Sequence, residues 1–190
     1  ASLSRMIQLS PVPALAMTLR WDVIEWNELR ARVFRNYDAI PLAERNLVRI
    51  VLTDENYRRN ARTFEHLARN LLAEFREDFG KFAGDPSFAE LIAQLHDIVP
   101  GFERLWNTVE LSSVQRCSLV HHDELGDLYF DRVSYVPQHN PSLRVFMFMP
   151  AEPGTARVIA SLPHDAAPVS NVFGMFRANE RHILRHPSPH

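Results

Sequence analysis

A single cysteine, Cys117, stands in 190 residues. It can form no internal disulfide, so a reducing compartment is expected and the chain is read as cytoplasmic. Glycine is scarce too, with six residues against twelve phenylalanines, and that balance implies a bulky core. No apolar run reaches the roughly 18 residues that a membrane-spanning helix needs. The first residues lack the apolar stretch of a secretory signal. A net charge of −2 leaves no basic field to attract a nucleic-acid backbone. No glycine-rich phosphate loop, nucleophile elbow or HExxH helix occurs, so no enzyme is expected.

What is present is periodicity. From Asn56 to Phe82 the apolar residues Tyr57, Ala61, Phe64, Leu67, Ala68, Leu71, Leu72, Phe75, Phe79 and Phe82 follow i, i+3, i+4 spacing. That predicts one long helix with an aromatic face, ended by Gly80 and Gly84. Arg62 and Arg69 lie on its polar side, within reach of Glu65. Residues 3–9 predict a short helical lead-in within 1–13, stopped by Pro11 and Pro13. Residues 14–20 and 22–26 predict two strands, and Asn27 an N-cap for a helix to about Asn36 that buries Leu29, Val33 and Phe34. Pro41 opens another helical stretch through Leu52. Asp85-Pro86 and Pro100 open two further helices, the second reaching Val109.

After residue 114 the period changes to two. Strands are predicted over 115–121, 128–136 and 143–149, the second with a slip near Arg132 and the third closed by Glu152-Pro153-Gly154. Two strands, then helices, then three strands give an α+β fold with an antiparallel sheet. Residues 14–162 form the domain. Residues 163–190 are a proline-bracketed appendage with a candidate helix over 171–185.

Histidines offer two metal candidates. His182, His186 and His190 are spaced by four, and His121-His122-Asp123-Glu124 is a compact donor cluster. The first lies on an unanchored tail and the second flanks a turn, where hydrogen bonding is the expected role; neither is read as a metal site. His66 and His96 have polar neighbours and are not read as haem ligands.

The strand–helix–strand order resembles a PAS-like sensor domain. The closer resemblance is to the ligand-binding domain of MmyB-like, XRE-type transcription regulators. Arg20-Trp21-Asp22-Val23 through Trp26-Asn27 resembles that family's "RWDVLAWN". Arg45-Asn46-Leu47-Val48-Arg49 through Thr53-Asp54 resembles "RNLLRLLFTD", and Phe64-Glu65 with Ala68-Arg69 resembles "WE..AR" despite Phe64 in place of Trp. Phe102-Glu103-Arg104-Leu105-Trp106 matches a later helix. His121, Gly126 and Leu128 resemble "HP..G.L", with His122 in place of Pro, and Ala151-Glu152-Pro153-Gly154 resembles the closing "AEPG". The likeness spans about residues 10–162. It implies a five-stranded antiparallel PAS-like sheet covered by helices, one of them long and central. It also implies a fatty-acid-like ligand, a homodimer, and DNA contact only through a helix-turn-helix module absent from this chain.

Phe34, Leu71, Phe75, Leu95, Phe102, Trp106, Phe130, Phe146, Met147, Phe148 and Met149 come from elements expected to face one another. A filled core, as in a pure dimerisation module, is one reading of them. The other leaves room for an acyl chain between long helix and sheet, with Met147 and Met149 as adaptable lining. No cofactor is implied beyond that bound fatty acid. A carboxylate head would need a cation. Arg49, inside an apolar run, is the first candidate and Arg104 the second; pairing of Arg49 with a helix carboxylate is the plainer reading.

Overall fold

A computed structural model describes residues 2–58, 61–82, 84–107 and 117–163. In chain order the elements are α1 (Ser2–Gln8), β1 (Ala14–Thr18), β2 (Val23–Trp26), α2 (Glu28–Val33), a single 3₁₀ turn (Leu42–Glu44), α3 (Leu47–Thr53), α4 (Glu55–Arg58) and α5 (Ala61–Lys81). Then come α6 (Pro86–Ile98), α7 (Phe102–Asn107), β3 (Cys117–His122), β4 (Gly126–Tyr135), β5 (Leu143–Pro150) and α8 (Pro153–Ser161). The strands form one five-stranded antiparallel sheet in the order β2-β1-β5-β4-β3. This is the α+β architecture that the switch from helical to alternating periodicity predicted. The tail histidines, the helix expected over 171–185, Val109 and the start of the strand expected from residue 115 lie outside the described residues.

Alternation sorts the sheet into two faces. Leu15, Met17, Leu128, Phe130, Phe146 and Phe148 join the main core with α2, α3, α5, α6 and α7. Ala14, Ala16 and Val145 point the other way and are covered by Ile7 of α1. Several expectations change here. Arg132 continues the inward phase of Leu128 and Phe130 in an unbroken β4–β5 register, so there is no slip, and Val133 is exposed. Met147 packs with the outer cluster beside Val145, because a strand apolar on both faces still alternates. Glu152-Pro153-Gly154 does not merely end β5: Pro153 sits in the first turn of α8, which buries Thr155 and Ile159. The span expected as one helix from Asn56 is described as α4 and α5, and residues 59 and 60 between them lie outside the described residues.

Two polar residues lock the framework. Asn27 is buried; its Oδ1 accepts from Arg30 N at 2.9 Å and Ala14 N at 3.0 Å, and its Nδ2 donates to Val12 O at 2.8 Å and Ser10 O at 3.2 Å. One side chain thus caps α2 and ties it to the start of β1. Asn46 caps α3 by accepting from Val48 N and Arg49 N, and donates to Arg20 O and Asp22 Oδ1. That bracing holds Trp21 at a φ of 70°, a conformation that costs a bulky residue about 1–3 kcal/mol unless its surroundings impose it. The fully buried Trp21 ring then meets Phe75 of α5 and Phe146 of β5 edge-on at 5.7 and 5.5 Å.

Candidate ligand-binding site

A chain of ring contacts crosses the interior. From Trp21 it continues through Phe146 to Phe148 at 6.4 Å, then to Phe34, the C-cap of α2, at 4.6 Å, and Phe34 also meets Phe130 at 5.4 Å. Phe34 is only partly buried while Phe130 and Phe148 are buried. Beside these rings lies Arg30, only 2% exposed. Its Cζ is 3.8 Å from the centroid of Phe34 and 4.5 Å from that of Phe148. Nε and Nη2 both donate to the hydroxyl of the buried Tyr37, at 3.1 and 2.8 Å. Nη1 has no hydrogen-bond partner.

No carboxylate among the described residues pairs with Arg30. Burying a guanidinium costs several kcal/mol. A desolvated cation–π contact returns about 2 kcal/mol, and hydrogen bonds to a charged group about 1.5–3 kcal/mol. Ring faces and one phenol oxygen therefore take the place of a counter-charge, and Nη1 is left without an acceptor. Tyr57 adds a second orphan. Its hydroxyl is enclosed without a hydrogen-bond partner, and burial raises its pKa far above the ordinary tyrosine value, only partly offset by Arg30 nearby. The phenol stays protonated and able to donate.

Two cations on the inner face of the sheet are paired with carboxylates. Arg144 makes a two-pronged pair with Asp78 of α5, at 2.7 Å on both oxygens. Trp21 Nε1 donates to the same carboxylate at 2.9 Å. Arg132 pairs with Glu74 one turn earlier on α5 and stacks over Phe146. Around the β3–β4 turn, His122 Nδ1 accepts from Glu124 N and Leu125 N, and its Nε2 lies 3.1 Å from Arg32 O, fixing that turn to α2. No group of three potential metal ligands occurs among the described residues.

The predicted ligand residues separate into groups. Phe34, Phe130 and Phe148 converge at Arg30. Leu71 and Phe75 line the buried face of α5, and Phe75 reaches the sheet through Trp21. Leu95, Phe102 and Trp106 pack in the corner of α5, α6 and α7, with Phe102 stacked on Trp106 at 5.6 Å and Phe75 at 6.4 Å from Trp106. Met147 lies on the outer face of the sheet, and alternation gives Met149 the same side. Arg104 is exposed on α7. Arg49 lies 3.6 Å from Glu44 and borders a groove with Arg35, Pro41 and Asp54. Neither expected cation reaches the aromatic interior.

Arg30 was the residue the sequence reading missed. A signal existed: at about 100° per residue it lies within 60° of Val33 and 40° of Phe34, on the face predicted to be buried.

Among the described residues no helix is long and apolar enough to cross a membrane. No curated protein matches the chain. A family model, the MmyB-like transcription regulator ligand binding domain, matches residues 2–162. That span takes in α1, the whole sheet and α8, and the chain belongs to that family.

Proposed function

We propose that this domain is the cytoplasmic sensor of a transcription regulator and takes a long-chain, fatty-acid-like molecule between α2, α5 and the sheet. The observation that carries this reading is Phe34. It is only partly buried at the C-cap of a six-residue helix, yet its ring rests on Phe130 and Phe148 of the inner sheet face. A side chain so placed covers the interior without being locked in it. An acyl chain that displaces it exchanges water for aromatic faces at about 0.8 kcal/mol per methylene. Occupancy would then bias a homodimer, or an attached helix-turn-helix module, by binding one conformation better than another. The domain carries out no catalysis in this reading.

Displacement of a fluorescent fatty acid by saturated acids of ten to eighteen carbons tests it. The expected result is saturable binding whose affinity climbs severalfold with each added methylene until the space is filled. No displacement by any of these acids would favour a dimerisation module with a filled core.

A further inference from the structure

We propose that Arg30 and Tyr57 form a head-group subsite for this molecule and select a monocarboxylate. This rests on the reading that the interior accepts an apolar-tailed molecule. Arg30 is almost wholly enclosed, its Nη1 has no partner, and its Nε and Nη2 each donate one hydrogen bond to Tyr37. Phe34 and Phe148 stack against the guanidinium, which leaves its edge for an in-plane acceptor. The Tyr57 hydroxyl is the second unsatisfied polar group in the field of this cation.

The donor count sets the chemistry. One free guanidinium edge and one phenol proton match the two oxygens of a carboxylate. A phosphate monoester brings three oxygens and nearly two charges, and needs more positive charge than one arginine supplies. The nearby Arg35 is paired with Asp54 at 3.1 Å. A neutral alcohol could accept a hydrogen bond from Nη1 but brings no counter-charge to Arg30. The aromatic rings beside Arg30 give the first methylenes of an acyl tail an apolar surface. Arg49, the cation expected from sequence, is engaged with Glu44 instead.

Binding of dodecanoate and of 1-dodecanol to the full chain, each by displacement of a fluorescent fatty acid, tests the assignment. Wild-type protein should prefer the acid. Arg30→Met should weaken dodecanoate about ten- to a hundredfold and change dodecanol by less than about twofold. Tyr57→Phe should weaken dodecanoate by about three- to tenfold, and Arg49→Met should leave both unchanged. Equal losses of acid and alcohol in Arg30→Met, or no loss of either, overturn the subsite. So does a loss confined to the acid in Arg49→Met. If Arg30→Met does not fold, Arg30→Gln and Tyr57→Phe carry the comparison, and an unchanged acid-to-alcohol ratio in both overturns the subsite. Wild-type protein that binds both probes equally defeats the subsite alone. Wild-type protein that binds neither defeats the ligand reading with it.

Discussion

Two regions of one helix–sheet interface handle inward-facing arginine in opposite ways. Toward the α5 side, Arg132 and Arg144 enter from β4 and β5 and meet Glu74 and Asp78, two carboxylates four residues apart on one helix face. At the α2 side, Arg30 enters the same aromatic layer and meets only ring faces and a phenol oxygen. The first region balances its charges within the chain, leaving only Arg144 Nε without a hydrogen-bond partner, and serves to hold α5 against the sheet. The second is balanced only when something else supplies an anion. A buried cation left without a counter-charge is poor design for stability and good design for recognition, because a ligand then contributes what the fold omits.

The comparison is broken most forcefully by removing one charge from each side. Asp78→Ala strands Arg144 and the indole N–H of Trp21, and should destabilise the ligand-stripped domain by about 3–5 kcal/mol in urea unfolding. Arg30→Met strands no charge, and should leave ligand-stripped stability within about 1 kcal/mol of wild type or raise it. Comparable losses in the two variants would erase the distinction.

The same contrast extends to the rings. Phe75 is fully buried among Trp21, Phe88 and Trp106, so Phe75→Ala should cost about 3–5 kcal/mol. Partly buried Phe34 should cost about 1–2 kcal/mol as alanine, while the longest acid that binds becomes longer. An equal cost for both, measured by thermal and urea unfolding, would make Phe34 part of a sealed core.

Tyr57 gives the smallest effect and a defined pH window. Burial raises its folded-state pKa above the unfolded value near 10. The folded chain therefore keeps a proton that the unfolded chain loses, and the associated stability is fully present below about pH 10 and declines as pH rises further. Tyr57→Phe should flatten this alkaline decline. A decline identical to wild type between pH 9 and 11 would mean that water reaches the hydroxyl.

Much of this was legible in the sequence because it rests on local rules. Asn27 and Asp85 announced their helices as N-caps, and alternation announced the strands. The resemblance in residues 20–27 and 45–54 indicated the family. The charged interior was harder to read. Arg30, Glu74, Asp78, Arg132 and Arg144 all lie on inward faces by their period, but charged residues are expected outside unless their partners are known. Those partners sit 58 and 66 residues away for Glu74–Arg132 and Asp78–Arg144, beyond any local pattern. Arg49 drew attention by its apolar neighbours in sequence, yet helical geometry turned it toward Glu44. Met147 and Met149 were misplaced because the run from Leu143 to Met149 is apolar at almost every position, which hides the alternation that still decides its faces. Helix α8 was overlooked because its opening proline also reads as a strand stop.

In the proposed mode of binding, the interior of this domain holds an apolar-tailed acid through a charge the chain does not balance itself. Native mass spectrometry of the domain isolated from its own cells, wild type beside Arg30→Met, tests it most directly. The predicted result is a wild-type mass raised by a bound carboxylic acid that is released on denaturation, and an Arg30→Met protein largely free of it. A bare wild-type mass, or the same adduct retained in full by Arg30→Met, would contradict it.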